Sequence, residues 1–311
     1  MRHTTLGWVS RTGLFALALV TAWQPTLLAQ DRPEVYANGI VHAARMIPAD
    51  FPGGHMAPGA IISIFGRHFH FGESASAAAL PLPTQLGPLG TRVLVNGVFE
   101  CRLLFVSEGQ INCQLPDDLS GEQVRLRVVT SSGESSEATV PLRPMGFGLF
   151  AMNQNGRGPL VVSNVTSDPD PERGFQPNGP RSPAMPGQFV VLWGSGLGPT
   201  DPPIPAGEAP SGPAPAVQQP QVFIGEHPAM VQYAGRSPGF AGLDQINVLI
   251  PEDAPTGCAV PVRTQVGPHT SNIGTISVSP DGHPCRDPFE DIVSGSSHGS
   301  VLLSSGLVLL C

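Results

Sequence analysis

Gly194-Ser195-Gly196-Leu197-Gly198 follows an apolar run and has glycines spaced as in loops that cradle phosphate. A dinucleotide fingerprint needs a further glycine three places after Gly196; Pro199 stands there and no helical pattern follows, so a tight loop leaving a strand fits better. Gly295-x-Ser297-x-Gly299 has the form of a nucleophile elbow but sits in a Ser/Gly tail, without the buried strand and helix that would raise its hydroxyl. His68 and His70 share one strand face and could begin a metal site; no third ligand accompanies them. Asp168, Asp170 and Glu172 offer hard oxygens for calcium, yet Pro169 and Pro171 hold them extended and the glycine of an EF-hand turn is missing. These residues predict no catalytic, cofactor or metal site.

The polar groups that do recur are Gln110, Asn112, Gln245 and Asn247. They could hydrogen-bond a sugar, or satisfy backbone groups beside a strand. Gln110-Ile111-Asn112 and Gln245-Ile246-Asn247 lie 135 positions apart in one context, each followed by an apolar residue and a proline that ends pairing. That shared context favours the structural role.

The elements around them repeat as well. Ala57-Pro58-Gly59 with Ile61 to Gly66 matches Met185-Pro186-Gly187 with Phe189 to Gly194 at an offset of 128, and Val95-Asn96-Gly97 matches Phe223-Ile224-Gly225 at the same offset. A longer loop at Gly235 to Gly242 accounts for the later increase. Both copies continue alike, Gly121 with Val124 to Val128 and Gly257 with Val260 to Thr264. Internal repetition at this level decides the fold before any single motif.

The chain has 311 residues, of which 13% are charged and 41% hydrophobic, with 37 glycines and 35 prolines. So many turn formers disfavour a helical bundle, while the apolar content suffices for packed cores. Two tandem immunoglobulin-like β-sandwiches follow, each of six short strands punctuated by turns. Repeat one, with a lead-in, occupies 30–142, and its strands are expected at Ile61 to Phe65, Arg92 to Val95, Leu103 to Val106, Ile111 to Leu115, Val124 to Val129 and Ala138 to Leu142. A Pro-rich interdomain region covers 143–184. Repeat two occupies 185–280, with strands at Phe189 to Trp193, Gln221 to Ile224, Met230 to Tyr233, Gln245 to Ile250, Val260 to Gln265 and Thr275 to Val278. The remainder, 281–311, is irregular, and its apolar run Val301 to Leu310 is too short to span a membrane.

Residues 1–29 read as an export signal: Arg2, His3 and Arg11 precede the apolar stretch Thr12 to Trp23, and a small residue, Ala29, stands before Gln30. An exported chain tolerates disulfides, so Cys101–Cys113 across a hairpin and Cys258–Cys285 at the end of repeat two are expected to pair, with Cys311 left over. Zinc is disfavoured, since there is no Cys-x-x-Cys. A net charge of −8 with dispersed basic residues excludes nucleic acid as main partner.

Ala57-Pro58-Gly59, Val95-Asn96-Gly97, Phe105-Val106-Ser107-x-x-Gln110-Ile111-Asn112, Pro186-Gly187 with Val190 to Gly196 and Leu197-Gly198-Pro199, and Gly242-Leu243-x-Gln245-Ile246-Asn247 together resemble a bacterial extracellular family, the Solibacter uncharacterised C-terminal domain, related to the IPT/TIG immunoglobulin-like fold. The match spans residues 38 to 280. The resemblance implies a secreted pair of β-sandwiches and transfers no catalytic residue. The expected role is an exported, non-enzymatic interaction module whose partner is a surface protein or a glycan. For a carbohydrate-binding module, the loop Gly198 to Pro220 and exposed Tyr233 or Phe240 would carry the site. A hydrolase would need Ser297 or a His/Asp pair in a pocket, and the sequence presents no such set.

Overall fold

Central strands in both halves of the chain carry β-branched and aliphatic residues buried on both faces, as in Ile61–Arg67 and Phe189–Ser195, because each is covered on two sides. The structure, a computed structural model, describes residues 31–168, 170 and 173–285. The expected signal segment, Glu172, Ser297, Cys311 and the tail beyond 285 lie outside the described residues. The described residues are all β, with no helix long and apolar enough to cross a membrane.

Repeat one stacks two sheets. One runs in the order Glu34–His42, Ile61–Arg67, Gln110–Gln114, Arg102–Val106, Ala75–Ser76; the other runs Ala138–Pro141, Gln123–Thr130, Arg92–Val95, Phe99–Glu100. Their inner faces form one apolar core from Ile40 to Leu142, and a second core fills repeat two. Each of the twelve strands expected from the sequence is present, with ends shifted by up to three residues.

The register shows how closely the halves correspond. Ser63 pairs with Asn112 and Val191 with Asn247; Ile62 pairs with Cys113 and Val190 with Val248. Each Gln-Ile-Asn strand faces a bulge on its other side, between Leu103 and Phe105 in the first copy and between Val231 and Tyr233 in the second. Met56 bridges Leu142 as Ala184 bridges Val278. Ser135 Oγ accepts from Val128 N and donates to the Ser136 carbonyl; Ser271 Oγ accepts from Thr264 N and donates to the Asn272 carbonyl.

The copies differ in how they cross between layers. In repeat two the strand His227–Arg236 pairs with Gln221–Ile224 at one end and Asp244–Leu249 at the other, joining both layers into one eleven-stranded sheet. In repeat one the same path is broken at Cys101, whose amide donates to the Val93 carbonyl instead.

The 143–184 region does more than link the repeats. Phe147, Leu149, Leu160 and Val162 belong to the second core, and Val162–Val165 pairs with Phe189–Ser195 as Glu34–His42 pairs with Ile61–Arg67. Apolar residues in a Pro-rich stretch thus supply the first strand of repeat two. The described residues from Asp31 onward cluster as one unit with two cores.

Cys258 and Cys285 are disulfide-bonded, as expected. The expected Cys101–Cys113 bridge is not formed: both are buried free thiols, and burial, with the neighbouring Cys101 thiol, pushes the Cys113 thiol up. They lie in the sandwich core, where free cysteines fill space as small apolar groups.

Candidate functional site

The repeats meet through side chains placed by loops. Ser195 ends the first long strand of repeat two; its Oγ accepts from Ile61 N (2.9 Å) and donates to the Gly242 carbonyl (2.8 Å). Gln114, beside the first Gln-Ile-Asn motif, donates to the Gly59 carbonyl and accepts from Gly207 N at 2.8 Å. The Gly207 carbonyl in turn accepts from Leu82 N (2.8 Å). The Pro-rich loop 198–220 is therefore tied down on repeat one.

A buried charge cluster completes this junction. Arg236 is 3% exposed and contacts Asp244 Oδ1 at 3.1 Å and Asp117 Oδ1 at 3.7 Å, linking a carboxylate of each repeat. Asp244 is fully buried; burial pushes its carboxyl up, against the pull of Arg236 and of the loop amides. Leu197 N donates to Asp244 Oδ2 at 2.8 Å, so the anion held by the glycine-rich loop is the protein's own carboxylate. Desolvation raises Asp117 to about 6, with Arg236 acting in the opposite direction.

Asp117 also lines an open cleft of about 600 Å³ between repeat one and the Pro-rich loop. Phe99 (36% exposed) and Val98 (80%) come from the hairpin that follows Arg92–Val95. Glu100, paired with Arg92 at 3.3 Å, Arg102 and Asp118 add charged groups, and Pro205 and Ala206 close the opposite wall. The stem of Arg102 lies against Gly207, whose φ of +86° and close approach leave no room for a Cβ. Such a surface offers hydrogen-bond acceptors and donors beside an apolar lip.

Of the stretches singled out in the sequence, the 198–220 loop lines this cleft through Pro205 and Ala206 and the Gly194–Gly198 loop supplies Ser195 and Leu197 to the junction; the other residues fall elsewhere. Gln110 Nε2 donates to Asn112 Oδ1 (2.8 Å), which also accepts from Ser63 Oγ, and Gln245 Nε2 donates to Asn247 Oδ1 (3.3 Å). Ile111 and Ile246 are fully buried. Tyr233 is not an exposed platform: its hydroxyl donates to the Arg236 carbonyl and accepts from Ala214 N, and Phe240 is half-buried. His68 lies 3.8 Å from Glu108 and 3.9 Å from Asp31, whereas His70 is buried beside Gly87; no group of three metal ligands exists among the described residues. Asp117, Arg236 and Asp244 carry no sequence signal as site residues, and Ser195 is marked only as part of a glycine-rich loop, because each gains meaning only from a distant partner.

No protein-family model matches the chain, and no curated protein does. Solved structures to which the chain is similar include SGBP-B of the Bacteroides ovatus mixed-linkage glucan utilization locus in complex with a mixed-linkage heptasaccharide (11% identity, 81% of this chain and 46% of that one, TM-score 0.32). Others are the plexin A4 extracellular region (14%, 84% and 20%, TM-score 0.26) and the I9–I11 tandem of titin (10%, 72% and 62%, TM-score 0.19). The chain spans less than half the length of the first two. At these TM-scores the likeness carries no argument about function.

Proposed function

We propose that the chain is an exported, non-enzymatic binding module that holds a saccharide in the cleft between repeat one and the 198–220 loop. One observation carries the reading: an open cleft in which Asp117, Asp118 and Arg102 face the same space as Phe99, Val98 and Pro205. Sugar hydroxyls need acceptors and donors together, and the C–H face of a sugar ring needs an apolar surface beside them. The junction that ties Gly207 to Gln114 and Leu82 holds both walls in place before a ligand arrives, which lowers the cost of ordering them. Export is supported by the basic and apolar start of the chain and by the Cys258–Cys285 bridge. A glycan array with the full chain tests the reading. Phe99→Ala is expected to weaken binding roughly tenfold, the loss for uncovering one aromatic contact; no glycan bound, or binding untouched by Phe99→Ala and Arg102→Ala, overturns it.

A further inference from the structure

The Pro-rich loop 198–220 is fastened at both ends to repeat two and at its tip to repeat one. Leu197 N, at its start, donates to Asp244 Oδ2, and Ala214 and Pro215, towards its end, pair with Arg236 and Gly235. The tip reaches repeat one through Gly207, whose amide donates to Gln114 Oε1 and whose carbonyl accepts from Leu82 N. Between these anchors stands the Arg236 cluster. One guanidinium faces two carboxylates, Asp244 through Nη1 and Asp117 through Nη2. The Nη1 contact, at 3.1 Å, is not aligned as a hydrogen bond: Arg236 Nε and Nη1 and Asp244 Oδ1 have no hydrogen-bond partner among the described residues. With both carboxylates ionised, the cluster carries one negative charge more than its guanidinium balances, in a place that water reaches poorly. The chain itself covers it, since a Cβ on Gly59 would run into Asp117 Oδ1 and lie 3.2 Å from Arg236 Nη2. Neighbouring groups do not remedy the imbalance. Asp118 adds to it, Glu100 is paired with Arg92, the Tyr233 hydroxyl is engaged with the Arg236 carbonyl and Ala214 N, and the stem of Arg102 lies against Gly207. A proton on Asp117, the member that lines the cleft, removes the excess.

We propose that the 198–220 loop docks on repeat one with Asp117 in its neutral acid form, so that proton uptake tightens this wall of the cleft and proton loss loosens it. The sign follows from where Asp117 sits. Desolvation, against the pull of Arg236, raises its carboxyl from 3.8 to about 6 in the docked state; lifting the loop takes Pro205 and Ala206 away from the carboxyl and returns it towards 3.8. The docked state therefore holds a proton that the lifted state releases, and docking gains strength as the pH falls through 6. That the proton also tunes saccharide binding rests on the proposed function; the docking itself does not. The test is amide hydrogen exchange of the full chain, read by NMR at about pH 7 and about pH 5, corrected for intrinsic exchange and with no saccharide present. The Gly207 and Leu82 amides report the docked tip, and those of Phe189–Ser195, in the second core, correct for changes in overall stability. Protection at Gly207 and Leu82, relative to that strand, is expected to rise roughly tenfold on acidification. Asp117→Asn, neutral at both values, is expected to show the higher protection at both. Protection that stays level or falls in acid, a pH dependence retained in Asp117→Asn, or low protection in that variant at both values overturns the proposal. An empty glycan array leaves this result standing, and unchanged protection leaves the cleft reading standing, so the two failures are told apart.

Discussion

Ser195 shows how much one hydroxyl can do at a junction. It serves an amide of repeat one and a carbonyl of repeat two, so Ser195→Ala orphans two buried backbone groups and is expected to cost about 1–3 kcal/mol in denaturant unfolding. Asp117 and the histidines give pH dependence of opposite sign. His55 falls from 6.5 to about 4 on folding, and His42 and His269 are lowered as well, chiefly by desolvation. The unfolded chain therefore takes up protons that the folded chain refuses, and their stability is complete above pH 6.5 and lost as the pH falls toward 4. Asp117 rises from 3.8 to about 6, so the folded chain holds a proton there that the unfolded chain releases, and acidification from 6 toward 4 favours folding at this residue. Asp117→Asn should thus make the loss of stability between pH 6.5 and 4 steeper than in the unaltered chain, measured by urea midpoints across that window. Cys101 and Cys113, as buried thiols, should take an alkylating reagent only after unfolding, read by peptide mass spectrometry.

Strands explain why the repeat was legible and where reading it slipped. Gly66 and Gly194 occupy equivalent points: a Cβ on Gly66 would meet the Glu34 carbonyl and the Phe69 ring, and one on Gly194 the Gly148 carbonyl and the Phe147 ring, all within 2.5 Å. Gly66→Ala and Gly194→Ala are each expected to destabilise by about 1–3 kcal/mol through overpacking, seen as a lower thermal midpoint. Glycines at such contacts leave a mark in sequence because no other residue fits. The match of Gly97 with Gly225 is a different case. In repeat one three residues, 96–98, join Val95 to Phe99; in repeat two only Gly225 and Glu226 join Ile224 to His227. The glycines keep their offset, but the buried pairs are Val93 with Val95 and Val222 with Ile224, shifted by one. Turn glycines answer to φ, strand residues to which face is covered, and the two need not move together.

At the scale of the molecule, two cores are locked by polar contacts that neither could make alone. Asn272, in repeat two, accepts from Leu149 N and donates to the carbonyls of Leu149 and Gly156 at 2.8 Å and of Ala44, in repeat one, at 3.5 Å, beside the Arg236 cluster and the Ser195 contacts. Thermal unfolding is expected to show one cooperative transition, and Arg236→Met, which leaves Asp244 as an unpaired buried carboxylate and frees Asp117 from its partner in repeat two, should split it into two; scanning calorimetry distinguishes the outcomes. What the amino-acid order alone determined was the all-β class, the doubling and the strand positions, since alternation, turn residues and repeated glycines act over a few neighbours; of the two bridges that one argument named, the fold forms only Cys258–Cys285. The placing of Val162–Val165 in the second sandwich, the Arg236 pairing and the cleft were decided by tertiary structure. Their partners are far apart along the chain, and burial and charge take their meaning from what folding brings alongside.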